Sequence, residues 1–224
     1  MRKTLPGLST KEYPEHRMTI KCIFFFMVTV ICSASVAGST GLPDTSCGSA
    51  NTGGKRVLVA YDSKHGSTSM IAETVGDVLC ENGFQVDIRP ALIIEDISTY
   101  DAIVLGSPVY YANFLPGALQ FLERHRTILA VKDVAVFALS TSVDKETGMV
   151  NENLSRLVFS SVLNKFPEIQ IVEPMGLLPG RMFFKEIFPV EMINLKKAGF
   201  EEAGNLLNFD FVRSWTEEIA DLLK

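Results

Sequence analysis

The sequence has few of the features that mark metal, dithiol or nucleic-acid chemistry. Its four cysteines, in a chain of 224 residues, show no CxxC spacing and no nearby histidine pair, so neither a zinc site nor a dithiol redox site is expected. The net charge of −5 and the absence of a basic cluster among aromatic residues argue against nucleic acid as a partner. No GxGxxG or GxxxxGKS/T motif is present, which disfavours dinucleotide and nucleoside triphosphate sites.

Long apolar runs are also scarce, and one lies near the N-terminus. Residues 22–36 are mostly apolar, follow a basic flank and lead into small residues. This order is typical of a secretory signal peptide, for which Met18 is an alternative start. An uncleaved anchor and a misannotated upstream start are the alternatives, since a membrane span usually needs about 20 apolar residues. We expect residues 1–37 to be a signal peptide or N-terminal membrane segment, which makes the protein exported or membrane-associated; with a misannotated start it is cytoplasmic.

The segment that follows has little to bury. Residues 38–54 are rich in Gly, Ser, Thr and Pro, which predicts a flexible linker ahead of one folded domain over 55–224. Cys80 lies on a predicted helix and is expected to be a small buried apolar residue. A Cys47–Cys80 disulfide would require that the domain is exported.

Strand and helix patterns alternate after residue 55, which indicates a parallel sheet with crossover helices. Short apolar runs predict strands at 57–61, 84–88, 102–106, 134–139 and 169–172. Helical spacing predicts a first helix that includes Met70 to Leu79, a second from Pro116 to about His125, a third from Asn151 to Asn164 and a last one with Asp210 as its cap. Asn82-Gly83 is expected to end the first helix. The predicted fold class is α/β, a doubly wound five-stranded parallel sheet, and such sheets bind ligands beyond the carboxyl ends of their strands.

The loop after the first predicted strand concentrates groups that bind phosphate. Residues 61–69 bring hydroxyls, backbone amides and Gly66 to the start of a helix. First-turn amides lack internal acceptors, and the helix dipole favours negative charge there. The alternative is a serine-rich loop that only caps the helix, with Ser67 or Thr68 as the N-cap.

Two segments of the chain resemble the flavodoxin family. Residues 63–68, Ser-Lys-His-Gly-Ser-Thr, look like the flavodoxin phosphate loop, a Thr/Ser-x-Thr-Gly-x-Thr pattern in which His65 replaces the middle hydroxyl. Residues 106–111, Gly-Ser-Pro-Val-Tyr-Tyr, are similar to the second flavin-binding loop of that family. The resemblance implies the strand order 2-1-3-4-5 and flavin mononucleotide (FMN) as the cofactor.

The predicted FMN site draws on three loops. Tyr110 or Tyr111 is expected to stack on the isoalloxazine ring, the alternative being ordinary packing under the loop. The third loop, 140–144, has no second aromatic residue, which leaves one flavin face open to a substrate. No metal is expected, and no catalytic group is identified by spacing. The predicted cofactor-binding residues are Ser63, Lys64, His65, Gly66, Ser67, Thr68, Ser107, Pro108, Val109, Tyr110, Tyr111, Ser140, Thr141 and Ser142.

An insertion at 181–197, rich in aromatic residues and Met, precedes the last predicted helix. Together with the Asp210-Phe211 start of that helix, it resembles the bacterial menaquinone-dependent protoporphyrinogen oxidase family. The resemblance implies an FMN-dependent oxidoreductase that passes electrons from a reduced substrate to a quinone. The insertion would then dock on a membrane or line a substrate pocket. The alternative is that the insertion packs on the domain as ordinary core. An electron carrier to a redox partner protein, favoured by the acidic charge, and an exported binding module without flavin stay open.

Overall fold

Apolar runs buried on both faces form the central sheet of this protein. The computed structural model describes residues 45–47, 53–141, 152–183, 185, 189–197 and 204–224. The strands in these ranges are β1 (Thr45–Cys47), β2 (Arg56–Tyr61), β3 (Gln85–Pro90), β4 (Ala102–Tyr110), β5 (Asn113–Phe114), β6 (Asp133–Ser140), β7 (Ile171–Pro179), β8 (Arg181–Met182) and β9 (Gly204–Asn205). The helices are α1 (Ser67–Glu81), α2 (Pro116–Leu129), α3 (Glu152–Leu163), α4 (Pro189–Lys197) and α5 (Phe209–Leu223).

The parallel strands lie in the order that the sequence predicts. β2 pairs with β3 and β4, β4 pairs with β6, and β6 pairs with β7, all of them parallel. The resulting order, β3-β2-β4-β6-β7, is 2-1-3-4-5 when these strands are numbered along the chain. The predicted doubly wound α/β fold is confirmed. Two antiparallel strands extend it: β1 on the outer edge of β3, and β5 against the end of β4.

Helices cover both faces of the sheet, because successive side chains of each strand point to opposite faces. Val57 and Val59 of β2 belong to the apolar cluster that contains the buried faces of α1 and α5. Leu58 and Ala60 of the same strand belong to the second cluster, with α2 and α3. Trp215 fixes α5 in place, since its indole N–H donates to the Pro174 carbonyl at 2.9 Å.

The first of these helices ends where the sequence predicts, whereas the last has a different N-cap. α1 begins at Ser67, within the predicted phosphate loop, and it ends as predicted at Asn82-Gly83, where Gly83 has a φ of 91°. The predicted Asp210 cap of α5 is wrong. Asn208 is the N-cap, because its side-chain oxygen accepts from the Phe211 N–H at 3.0 Å. Asp210 lies in the first turn, where its carboxylate still complements the helix dipole.

Part of the predicted linker is structured. β1 falls within 38–54, and it pairs with β3 from Thr45↔Ile88 to Cys47↔Val86. Cys80 is half-buried, not the small buried apolar residue that the sequence favours. It forms the alternative disulfide with Cys47, which joins β1 to α1, and the two Cα atoms are 6.2 Å apart. The predicted N-terminal segment 1–37 lies outside the described residues. Within the ranges given above, no helix combines the length and apolar character that crossing a membrane requires.

The predicted insertion before the last helix contains its own small elements. β8 pairs with β9 in a two-stranded antiparallel sheet, and α4 lies between them in the chain. On α4, Val190 and Ile193 are 72% and 46% exposed. These two apolar side chains of α4 are therefore not part of the core.

Candidate functional site

The predicted loops meet at the carboxyl ends of neighbouring parallel strands. The loop after β2 contacts the end of β4, since the Asp62 N–H donates to the Gly106 carbonyl at 2.9 Å. The end of β6 is tied to the segment after β7 by a 2.7 Å hydrogen bond from the Gly180 N–H to the Ser140 carbonyl. The first, second and third predicted loops are thus assembled at one edge of the sheet, as the switch point of a doubly wound fold requires.

The first loop leaves the N-terminus of α1 open to an anion. Gly66 is the N-cap, in a left-handed conformation with a φ of 83°, and no side chain makes a capping hydrogen bond. The alternative in which Ser67 or Thr68 caps this helix is therefore wrong. The Ser69 hydroxyl donates to the Gly66 carbonyl at 2.7 Å rather than accepting from an amide. The first-turn N–H groups keep their ability to bind a negatively charged group.

Two polar side-chain atoms of this loop are shielded from solvent without a partner. Ser63 Oγ and His65 Nε2 make no hydrogen bond within the part of the chain that the structure describes. A buried polar atom left in that state costs about 1–3 kcal/mol, and native structures rarely keep one without a reason. A hydroxyl and an imidazole nitrogen beside an open helix N-terminus form a donor set that suits a phosphate group. Thr68 is the second residue of α1 and is only 1% exposed.

Lys64 links the first loop to the second. Its ammonium nitrogen lies 5.1 Å from the ring centre of Tyr110, which is within the range of a cation–π interaction. Tyr110 is half-buried at the end of β4, and Pro108 and Val109 before it are half-buried as well. One of the two predicted stacking tyrosines is thus already in contact with the lysine of the first loop.

The second loop holds Tyr111 in a strained, exposed position. Tyr111 and Ala112 form the tight turn between β4 and β5, and both have positive φ, 50° and 55°. This conformation belongs to type I′ hairpin turns and is costly for residues other than Gly, Asn and Asp. The Ser161 hydroxyl of α3 donates to the Ala112 carbonyl at 2.7 Å and holds the turn in place. Tyr111 is 83% exposed, so it does not pack under its own loop.

Ser107 shapes the second loop from inside. It is fully buried, its hydroxyl donates to the Pro108 carbonyl at 3.0 Å, and its oxygen accepts from the Leu115 N–H at 3.0 Å. Both contacts lie within the loop, so the hydroxyl of this predicted residue orders the backbone around β5.

The third loop is described as far as Thr141. Ser140 is 5% exposed and Thr141 is half-buried, and both lie at the carboxyl end of β6 beside Gly180. The predicted Ser142 lies outside the described residues. The structure therefore places Ser140 and Thr141 on the same edge of the sheet as the first two loops.

Two further residues organise the site, and the sequence analysis does not identify them. The Asp62 carboxylate accepts from the Ala118 N–H at 3.2 Å, which joins the first loop to the N-terminus of α2. The sequence contains one indication of this contact. Pro116 is the first residue of α2, and the side chain of Leu115 before it cannot accept a hydrogen bond. Another segment therefore has to supply the acceptor that caps α2. Arg181 donates from Nη2 to the His65 carbonyl at 3.5 Å, and nothing in the local sequence indicates that contact.

Comparison with known proteins agrees with this geometry. Residues 58–168 match the family model for a flavodoxin domain. Protoporphyrinogen IX dehydrogenase (quinone) of Escherichia coli strain K12 is 23% identical over 111 residues, which cover 47% of this chain and 61% of that protein. This chain therefore matches about three-fifths of the length of that curated relative.

Solved structures show the same fold. A flavodoxin from the domain Archaea matches with a TM-score of 0.50 and 13% identity, covering 75% of this chain and 98% of its own. A short-chain flavodoxin associated with a PDU bacterial microcompartment matches with a TM-score of 0.50 and 13% identity, covering 76% and 99%. The family match, the strand order and the assembled loops together establish that this chain carries a flavodoxin-like domain.

Proposed function

We propose that the three loops bind FMN and that the protein is an oxidoreductase, passing electrons from a reduced substrate to a quinone-type acceptor. The observation that carries the proposal is the uncapped N-terminus of α1 next to two buried side-chain atoms without partners, Ser63 Oγ and His65 Nε2. These groups would suit a phosphate monoester, and the tyrosines of the second loop would suit the flat ring system that such a phosphate carries in FMN.

The first loop would hold the phosphate. Ser63 and His65 would donate to its oxygens, and the first-turn N–H groups of α1 would supply further donors. The N-cap has a φ of 83°, which glycine adopts without steric cost. Because Gly66 has no side chain, it also leaves the helix N-terminus accessible. All of these groups lie within the first loop and the first turn of α1.

The second loop would hold the ring. Tyr111 projects from the strained turn with most of its surface exposed, and such a ring stacks well on a planar heterocycle. Tyr110, with Lys64 over its face, would support the same end of the flavin. Bound FMN would supply reversible acceptance of electrons, while the protein sets its orientation and its electronic surroundings.

The nature of the substrates rests on the relative and on the insertion. The E. coli relative is by name a protoporphyrinogen IX dehydrogenase that uses a quinone, which supports a quinone-type acceptor here. Quinones of this kind reside in membranes, and α4 presents exposed Val190 and Ile193 beside Lys196 and Lys197. We propose that the 181–197 segment contacts the membrane surface, with apolar side chains at the lipid boundary and lysines at the headgroups.

The substitution Ser63→Ala tests the phosphate assignment. Because Ser63 Oγ is buried without a partner, its removal should leave the flavin-free chain at least as stable as wild type. The same change should weaken FMN binding about tenfold, since it removes one hydrogen bond to a charged group. Thermal unfolding and flavin-fluorescence titration measure the two effects. Ser160→Ala, an exposed serine on α3, is the matched control and should change neither. Undiminished FMN binding by the Ser63→Ala variant would contradict the assignment.

A second candidate is an electron carrier for a redox partner protein, which the net charge of −5 favours through attraction to a basic partner. Reduction by dithionite and reoxidation by a soluble quinone separate the two candidates. Fast reoxidation by the quinone supports the oxidoreductase. A flavin that reduces in two resolved one-electron steps and reacts slowly with the quinone supports the carrier.

A further inference from the structure

The backbone around Arg181 fixes this residue at the edge of the sheet where the loops meet. Arg181 pairs with Asn205 in the small sheet formed by β8 and β9. Gly180 before it donates to the Ser140 carbonyl at 2.7 Å and accepts from the Leu206 N–H at 3.1 Å. The strand pairing of Arg181 and the two hydrogen bonds of Gly180 fix the backbone at this position. The Arg181 side chain therefore starts from a defined point at the edge of the site.

The guanidinium of Arg181 reaches the first loop across the site. Nη2 donates to the His65 carbonyl at 3.5 Å, a contact between residues 116 positions apart, and the side chain is half-buried. His65 directly precedes Gly66, the N-cap of α1. The guanidinium therefore lies next to the uncapped helix N-terminus and beside a residue whose ring nitrogen is buried without a partner.

The first loop contains few positive charges that could bind a phosphate. Lys64 is the only Lys or Arg in residues 61–69, and its ammonium lies over the Tyr110 ring, on the side of the second loop. Hydroxyls and amides bind a phosphate as neutral donors. A guanidinium adds a permanent positive charge and a planar fork of N–H donors that matches two phosphate oxygens.

We propose that Arg181 binds the phosphate of the flavin and makes the site selective for FMN over riboflavin, an inference that rests on the proposed function above. The residue lies outside the segment that matches the flavodoxin family model, 58–168. In this proposal the segment after β7 contributes a charged group to the cofactor site, in addition to the membrane contact proposed for α4.

The test measures the dissociation constants of the full chain for FMN and for riboflavin by fluorescence titration. Arg181→Gln should weaken FMN binding by about tenfold or more, the usual loss for a charge-assisted hydrogen bond, and leave riboflavin binding unchanged. Arg181→Lys should fall between wild type and Arg181→Gln. The salt dependence of FMN binding should become shallower in Arg181→Gln. Arg213→Gln, which removes a surface arginine paired with Glu81 on the α1–α5 side, is the matched control.

The outcomes separate this inference from the proposed function. An equal loss for FMN and riboflavin in Arg181→Gln would overturn the inference, because Arg181 would then only order the loop. An unchanged FMN constant would overturn it as well. If wild type binds neither flavin, the proposed function fails, and stabilisation by inorganic phosphate in a thermal-shift assay becomes the deciding probe. Stabilisation of wild type but not of Arg181→Gln would still support an anion site at Arg181, whereas equal behaviour would overturn it.

Discussion

At the scale of single residues, the turn at Tyr111 and Ala112 combines strain with exposure. Both residues have positive φ, which costs about 1 kcal/mol or more for a side chain with a Cβ. Backbone strain of this kind persists where the surrounding structure enforces it, and it is concentrated at functional sites. Here Ser161 of α3 and the pairing of β4 with β5 enforce it.

Tyr111→Asn should therefore act on stability and on binding in opposite directions. Asn tolerates positive φ, so the flavin-free chain should gain about 0.5–1 kcal/mol in free energy of unfolding. Loss of the aromatic ring should weaken FMN binding, because the stacking surface disappears. Urea unfolding and flavin titration measure the two effects. Val131→Asn, at an equally exposed position of 83%, is the control. A Tyr111→Asn chain that is less stable and binds FMN as well as wild type would refute the assignment.

His125 is a buried histidine outside the site, and it predicts a pH dependence of stability. Its ring packs against Phe121, and Nε2 lies 3.2 Å from the Ile94 carbonyl. Burial lowers the pKa of His125 below the ordinary 6.5, and Arg124 lowers it further, while the Ile94 carbonyl and Asp96 raise it. The folded chain therefore binds a proton here less readily than the unfolded chain does.

The sign follows from this difference in proton binding. Below pH 6.5 the unfolded chain takes up the proton first, so the contribution of His125 to stability is present above that pH and is lost as the pH falls. The pKa of Asp96 is lowered from 3.8, chiefly by hydrogen bonds from Ser98, so its own titration lies below this window. Urea unfolding at pH 7.5 and 5.5 should show a smaller loss of stability in His125→Gln than in wild type. An equal loss in both would contradict the prediction.

The residues of the site were predictable in part. The position of the first loop at the N-terminus of α1 could be predicted because its hydroxyls and Gly66 are contiguous in the sequence, directly after an apolar strand. The cap of α5 cannot be predicted reliably from the sequence, because Asn208 and Asp210 are both good N-cap residues and only the backbone conformation distinguishes them. Arg181 could not be predicted, since its partner, the His65 carbonyl, lies 116 positions away.

At the scale of elements, the strands with long apolar runs were predictable and the short ones were not. β2 and β6 are buried along nearly their whole length and β4 is buried from Ala102 to Ser107, so their sequences alone indicate a parallel sheet. β1, β5, β8 and β9 have two or three residues each, and they exist because a partner strand lies next to them. Their residues lack the period-2 pattern that a sequence-based prediction needs.

The disulfide between β1 and α1 supports a proposal about location. Cys47 and Cys80 close a loop of 33 positions and attach the edge strand to the domain. Disulfides persist in oxidising compartments and are rare in the cytosol. We propose, from this bond and from the signal-like composition of residues 1–37, that the domain is exported.

Removal of this disulfide should destabilise the chain. A bond that closes a loop of this size typically contributes about 2–4 kcal/mol, so a reducing agent should lower the midpoint of urea unfolding in wild type. Cys47→Ser/Cys80→Ser should unfold at the midpoint of reduced wild type and should not respond to the reductant. Peptide mapping of the unreduced chain, after its free thiols are alkylated, identifies which cysteines are paired. A wild-type midpoint that is insensitive to reduction would contradict the prediction.

At the scale of the whole molecule, the sheet brings together loops that are far apart in the sequence. The first loop follows β2, the second follows β4, the third follows β6, and Arg181 follows β7. Parallel pairing places all of these strand ends on one edge, so a single site results from four separate segments. The Asp62–Ala118 hydrogen bond and the Arg181–His65 contact then connect those segments across the site.

The most direct test of the account is whether the intact protein retains FMN. The full chain would be purified with added FMN, passed through gel filtration and examined for visible flavin absorption. The account predicts that flavin absorption elutes with the protein at one flavin per chain and that Ser63→Ala and Arg181→Gln retain less. A folded, colourless protein under the same conditions would contradict the central claim and leave a flavodoxin-like fold without flavin chemistry.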